Sequence, residues 1–506
     1  MPAMHLYVTA AAALALSLLV CQTPATAEEK ARPNVLWFVV DDMSAHLSCY
    51  GEKGISTPHL DALAAEGTRF TRAYVTAPVC SASRSALITG CYQTTIGAHH
   101  HRSGRGEMKI HLPEGVETLP AILQRAGYYT CIGSGLPGLD HRGLDFPEKA
   151  PPQRRLGKTD YNFEWDPTIY DSHDWAERKD GQPFFMQVQL HGGKLREGPI
   201  DERDKFRNQV VATFGSLTAP AEVELPPYYP RDPVLLQDWA DYLDSVRLTD
   251  HHVGLVLARL REENLLAKTL VIFMTDHGIS HARGKQFLTD EGTHIPFIVS
   301  GPGIAKGAVR DDLVEHIDMV PVSLAAAGLP LTATLQGHDL FAAEYEPRAY
   351  AFAARDRCDE TTEKIRSLRS ERFLYIRNYH PARPHLQPNA YKDNKDIVRV
   401  LRREHEAGTL PGLSETLLFA APRPVEELYD CPADPSQIYN LAADPAHGEM
   451  LATMRAALDE TLIQTRDPAP ETAAKYDSDM AEYLRRPNPE VAKNIAQMKQ
   501  WTAEGK

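Results

Sequence analysis

Asn34-Val35-Leu36-Trp37-Phe38-Val39-Val40, closed by Asp41-Asp42, is an unbroken apolar, β-prone run that stops on paired carboxylates. A strand with one wet face alternates apolar and polar residues, whereas an unbroken run suits a strand covered on both faces of a parallel sheet. Thr269 to Thr275 repeats the pattern and ends on Asp276-His277-Gly278. Two such strands deliver acidic groups to the C-terminal edge of one sheet, which is where open α/β sheets hold ligands. The pair therefore predicts an α/β fold with a large, mixed but mostly parallel sheet sandwiched by helices.

The neighbouring sequence fits that frame. Thr57-Pro58 offers an N-cap and a first-turn proline for a helix through Glu66, with Gly67 as its stop. Leu243, Val246, Val253, Val256, Leu257 and Leu260 have the spacing of a long helix ending near Asn264. Ile295 to Ser300 reads as another buried strand, closed by Gly301-Pro302-Gly303. Past about Leu340 the runs shorten and charge rises. Ser370 to Tyr379 and Val425 to Tyr429 read as strands of a smaller sheet, and Leu451, Met454, Leu458 and Leu462 as one face of a helix. The expected organisation is an export signal over residues 1–27, a large domain over 28–345, a smaller C-terminal α+β domain over 346–470, and a polar tail over 471–506.

The 506-residue chain is 43% apolar and 24% charged, an ordinary globular balance, with a formal charge of −14 that argues against nucleic acid as partner. An acidic protein can still bind an anion where cations gather in a pocket. Thr9 to Val20 followed by Ala25-Thr26-Ala27 resembles a signal peptide with a small-residue cleavage site, so the protein is expected to be exported, periplasmic or secreted, with no membrane span in the mature chain. Of seven cysteines, Cys21 falls in that signal, and the others lack CxxC spacing, which argues against a zinc site.

Cys80-Ser81-Ala82-Ser83-Arg84 carries the chemistry. Cysteine and arginine four apart share one helix face, and a helix N-terminus offers free N–H groups and positive potential to an oxyanion. Alone, the segment reads more readily as an ordinary helix with a buried cysteine. Together with the two acidic strand ends it resembles the signature of type I sulfatases, members of the alkaline phosphatase superfamily, with Ala82 where proline is more frequent. The resemblance covers Pro33 to about Leu340 and is nearest to sulfamidase-like and polysaccharide sulfatases. It implies an alkaline-phosphatase-like fold, and conversion of Cys80 to formylglycine by a formylglycine-generating or anaerobic sulfatase-maturing enzyme. It also implies a calcium ion, or magnesium, on Asp41, Asp42, Asp276 and His277 with an oxygen from residue 80. By the same resemblance Arg84 holds the nucleophile, Lys285 binds sulfate, and His191 protonates the leaving oxygen.

The family's Gly-Lys-x-His is missing after Gly127-Tyr128-Tyr129-Thr130. Lys158, in Gly157-Lys158-Thr159-Asp160, is the expected substitute for its lysine, with Asp160 where the histidine would stand. His99 or His101, in the run His99-His100-His101, is the expected source of the imidazole. The expected reaction is hydrolysis of sulfate esters or N-sulfate groups of a sulfated carbohydrate. The rival readings are a phosphoester hydrolase of the same superfamily and a non-catalytic binder of sulfated glycans.

Overall fold

A computed structural model describes residues 32–140 and 156–506 of the chain. The segment read as an export signal and the Pro/Arg-rich stretch ahead of Lys158 lie outside the described residues. In chain order the large sheet uses β1 (Asn34–Val40), β2 (Gly67–Tyr74), β3 (Tyr129–Gly133), β4 (Phe184–Leu190), β5 (Thr269–Thr275), β6 (His294–Ser300) and β7 (Ala308–Glu315). They lie in the order β3-β4-β1-β5-β6-β2-β7. All pairings are parallel except those made by β6 with β5 and β2.

Both faces of β1 are buried, as its unbroken run requires. Leu36, Phe38 and Val40 join one core with Leu243, Val246, Val253 and Leu260 of the long helix Pro233–Glu262. Val35, Trp37 and Val39 join the other, against the helices Cys80–Thr89, Leu119–Arg125 and Met319–Ala326. Pairing places the site. Val40 is in register with Leu190 of β4 and Thr275 of β5, so Asp41-Asp42, His191 and Asp276-His277 leave the sheet side by side.

A second sheet, antiparallel, has the order β11-β10-β9-β8, built from β8 (Ala351–Arg355), β9 (Ile365–Arg369), β10 (Phe373–Asn378) and β11 (Glu426–Asp430). Residues 33–506 nevertheless form one compact unit, so the texture change near residue 345 marks a change of sheet within continuous packing. Ser370, read as the start of a strand, instead makes the turn between β9 and β10, where its hydroxyl accepts the Phe373 N–H at 2.8 Å. Residues 471–506, read as a polar tail, carry the helices Ala473–Tyr483 and Pro489–Ala503. Tyr476, Met480, Val491, Ile495 and Met498 close these helices onto Ala390. Among the described residues no helix is long and apolar enough to cross a membrane, and the six described cysteines are free thiols.

Candidate active site

Cys80 is the first residue of the helix Cys80–Thr89, whose ten residues are all buried. Its Sγ lies 3.0 Å from Lys285 Nζ, 3.1 Å from His277 Nε2 and 3.5 Å from Lys194 Nζ. Burial alone would push this thiol up, but Lys158, Lys194 and Lys285 outweigh it and hold it well below the ordinary value. Such an electropositive setting favours the thiolate form. One turn on, Arg84 joins the two acidic strand ends, donating through Nε to Asp276 Oδ2 at 3.1 Å and through Nη2 to Asp41 Oδ1.

The strand-end carboxylates are enclosed by cations. Lys158 Nζ is 2.9 Å and Lys194 Nζ 3.0 Å from Asp41 Oδ2. Asp42 meets Lys194 at 3.2 Å and Lys285 at 3.3 Å, and its Oδ2 accepts the Tyr391 hydroxyl at 3.3 Å. Against burial, which acts to raise them, these lysines with Arg84 or His277 keep Asp41 and Asp42 well below the usual carboxylate range. Burial raises Asp276 to about 6, while Asp276, Cys80 and Asp42 overcome burial and raise His277 to about 10. Asp42 takes a left-handed φ of 51°. That conformation is costly for a residue with a side chain and persists where surrounding structure enforces it.

Donor atoms of Asp42, Cys80, Asp276 and His277 all lie within 4.8 Å of one another, and all four residues are buried. Calcium–oxygen distances of about 2.3–2.6 Å let ligands stand up to about 5 Å apart across one ion, so the set fits a single cation. Its carboxylate oxygens suit a hard cation, whereas the imidazole and the Cys80 sulfur suit softer metals. Asp41, also expected among the ligands, is outside this set of four, and Arg84, Lys158 and Lys194 engage its carboxylate.

His101 comes to the centre: one of its ring nitrogens is within 4.8 Å of Cys80 Sγ and of an Asp160 oxygen. Its Nδ1 faces Asp359 Oδ1 at 3.0 Å, and Asp359 accepts the Tyr483 hydroxyl at 2.9 Å. Nε2 is buried with no hydrogen-bond partner among the described residues. His99 does not join the centre. Its ring lies 4.2 Å from that of His100, and both imidazoles stand beside Asp356 instead. His191 follows β4 and opens the turn Gly192–Arg196.

That turn brings in Lys194, which motif reading missed. The signal was Gly192-Gly193 ahead of it. Gly192 has φ 52°, and a Cβ there would sit 2.3 Å from the Asp41 carbonyl oxygen; one at Gly193 would sit 2.1 Å from that of Asp42. Only glycines let the chain press against the acidic pair and deliver the lysine. Tyr391, Asp359 and Tyr483 come from the C-terminal third, with no local pattern to flag them.

The centre thus gathers Asp41, Asp42 and Asp276 with Arg84, Lys158, Lys194 and Lys285. Four fixed cations beside the three carboxylates make a setting that suits an anionic group.

Comparison with known proteins agrees with this chemistry. The sulfatase family model matches residues 33–329. An ulvan-active sulfatase of Formosa agariphila is 30% identical over 479 residues, covering 87% of this chain and 76% of that protein. Human N-sulphoglucosamine sulphohydrolase is 28% identical, covering 87% and 92%. A solved structure of a protein in complex with its substrate D-glucosamine-2-N,6-O-disulfate superposes with a TM-score of 0.59 at 17% identity, over 87% of this chain and 99% of that one; at that identity it speaks for the fold.

Proposed function

Because the chain belongs to the sulfatase family, we propose that it releases sulfate from a sulfated carbohydrate, with residue 80 converted to formylglycine as nucleophile and a calcium ion at the strand ends. The observation that supports this best is Cys80 at a helix N-terminus, within 3.5 Å of two lysines and a histidine that also face paired aspartates. The ion would be held by Asp42, Asp276, His277 and residue 80, with Asp41 adjoining, and would supply Lewis-acid polarisation of oxygen. Conversion of residue 80, by a formylglycine-generating or anaerobic sulfatase-maturing enzyme, supplies a hydrated aldehyde with two hydroxyls on one carbon.

The chain's own groups do the rest. Lys158, Lys194 and Lys285 bind sulfate oxygens and stabilise charge that grows as the S–O bond lengthens. His191 gives its proton to the departing alcohol or amine. His101, steadied by Asp359, presents Nε2 to residue 80 as the imidazole that moves its protons. Arg84 keeps Asp41 and Asp276 in place. Ulvan-derived and N-sulfoglucosamine oligosaccharides are the substrates to try first, given the two relatives.

Peptide mass spectrometry of protein made beside a maturation enzyme tests the reading. Residue 80 should carry the mass of formylglycine, and such protein should release sulfate from one of these sugars. A thiol at Cys80 after co-expression would favour the glycan-binding alternative. Chelation gives a second check. For an ion present at about a hundred times its dissociation constant, removal costs about 2.7 kcal/mol of stability, so the melting temperature should fall with EDTA and return with calcium. An unchanged melting curve would refute the ion site.

A further inference from the structure

Asp160 carries a carboxylate oxygen with nothing bonded to it. The side chain is 10% exposed. Arg105 donates through Nη2 to Oδ1, whereas Oδ2 is buried with no hydrogen-bond partner among the described residues. Lys158 Nζ stands 3.9 Å from Oδ2, too far to donate, and turns to Asp41 at 2.9 Å. A buried acceptor left unsatisfied is costly, and in a folded protein it calls for a reason. Burial acts to raise this carboxyl, but Lys158, Arg105 and His101 outweigh it and hold it below its ordinary value, so the group stands ionised.

The backbone is committed as well. Asp160 takes a left-handed φ of 58°, and in a residue with a side chain that conformation persists where the surroundings impose it. Here they do so from both sides. Two residues earlier, the Lys158 carbonyl accepts Arg84 Nη1 at 3.3 Å. Two residues later, the Asn162 N–H donates to Ser85 Oγ at 3.0 Å, and its side-chain amide to the carbonyls of Ala98 and His100 at 2.8 Å and 2.7 Å. The segment is thus clamped to the helix that carries residue 80 and to the loop that carries His101. An Asp160 oxygen, a His101 ring nitrogen and the residue-80 sulfur all lie within 4.8 Å of one another. His101 Nε2, like Asp160 Oδ2, is buried without a partner among the described residues. Two unpartnered groups therefore stand beside the one residue that, once converted, has two hydroxyls on one carbon. A single imidazole serves one of those hydroxyls at a time, and the other needs an acceptor of its own.

Building on the reading of residue 80 as a formylglycine nucleophile, we propose that Asp160 is a further catalytic residue, the acceptor of the proton that leaves the second hydroxyl when sulfate is expelled. Asp160 Oδ2 takes that proton, and the O–H electron pair becomes the second bond of the aldehyde C=O. The C–O bond to sulfate breaks, its electron pair going to the sulfate, and Asp160 then yields its proton to solvent water. A weak base suffices, because the hydroxyl proton grows strongly acidic as its oxygen becomes a carbonyl.

The test reads covalent mass as well as rate. Protein made beside a maturation enzyme is mixed with a sulfated sugar that the unaltered protein turns over, and intact mass is followed from the first turnover. Asp160→Asn keeps the backbone, since asparagine accepts a left-handed φ, but removes the acceptor. It should release one equivalent of desulfated sugar in a burst and accumulate protein heavier by one SO₃ unit at residue 80. Its kcat should fall by about 10²–10⁴-fold. A residue that merely braced the loop would slow the burst itself and leave no sulfated protein. Asp160→His, which sets an imidazole in the same place, should recover part of the turnover. A kcat within about threefold of the unaltered enzyme, or a lower rate without the heavier species, overturns the proposal and leaves the sulfatase reading intact. If Asp160→Asn does not fold, Asp160→Gly adopts the same φ freely and is read in the same way. No sulfate release from any sugar by the unaltered matured protein would overturn both readings together.

Discussion

Cys80→Ser is expected to abolish turnover, by at least ~10³-fold in kcat, while leaving the fold and sulfate binding in place. Serine is close in size to cysteine, and the helix N-terminus, Lys285 and His277 would still surround it. Its hydroxyl can attack sulfur once. The new O–S bond forms, the bond from sulfur to the sugar oxygen or nitrogen breaks, and the leaving atom takes a proton from His191. There the variant stops, because serine carries no second hydroxyl on the same carbon to expel the sulfate. Incubation with substrate should therefore give a single stoichiometric release of desulfated sugar and a protein heavier by one SO₃ unit. Sustained turnover by Cys80→Ser at the unaltered rate would show that residue 80 is not the nucleophile.

The parts of this centre legible in the sequence are those that sit at the ends of unmistakable strands. Asp41-Asp42 and Asp276-His277 were readable because β1 and β5 are buried on both faces and so apolar throughout. β2 and β7 carry arginines and aspartates on their partly exposed sides, and nothing in Gly67–Tyr74 or Ala308–Glu315 announces a strand. Cys80 and Arg84 were readable by their spacing on a helix. Lys285 and Lys158 were found only through the family resemblance, and His99 could not be told from His101 because turn geometry decides which imidazole faces inward. The segment 471–506 has few apolar residues, so it read as a tail. Yet Tyr476, Met480, Val491, Ile495 and Met498 suffice to dock two helices, and Tyr483 then reaches Asp359 behind His101. Local pattern reports what an element buries; it does not report which distant loop completes a site.

Lys194 is the sharpest case of that limit, and its replacement by alanine has two expected effects of opposite sign. Its ammonium stands 3.0 Å from Asp41, 3.2 Å from Asp42 and 3.5 Å from the residue-80 sulfur. Removing it takes one fixed positive charge from the position where the sulfate oxygens gain charge in the transition state. By analogy with loss of one oxyanion donor, kcat should fall by about 10²–10³-fold. The same deletion removes a cation that competes with the metal for Asp42, so calcium should bind more tightly than in the unaltered protein. A residue that merely braced the turn would lower both quantities together. Lys194→Arg should recover part of kcat, since it restores the charge on a bulkier, planar head. Calcium titration followed by calorimetry, set beside kcat on the same preparations, separates the cases. Turnover within threefold of the unaltered enzyme, or weakened calcium binding in Lys194→Ala, would remove Lys194 from the sulfate site and return it to a supporting role beneath the acidic pair.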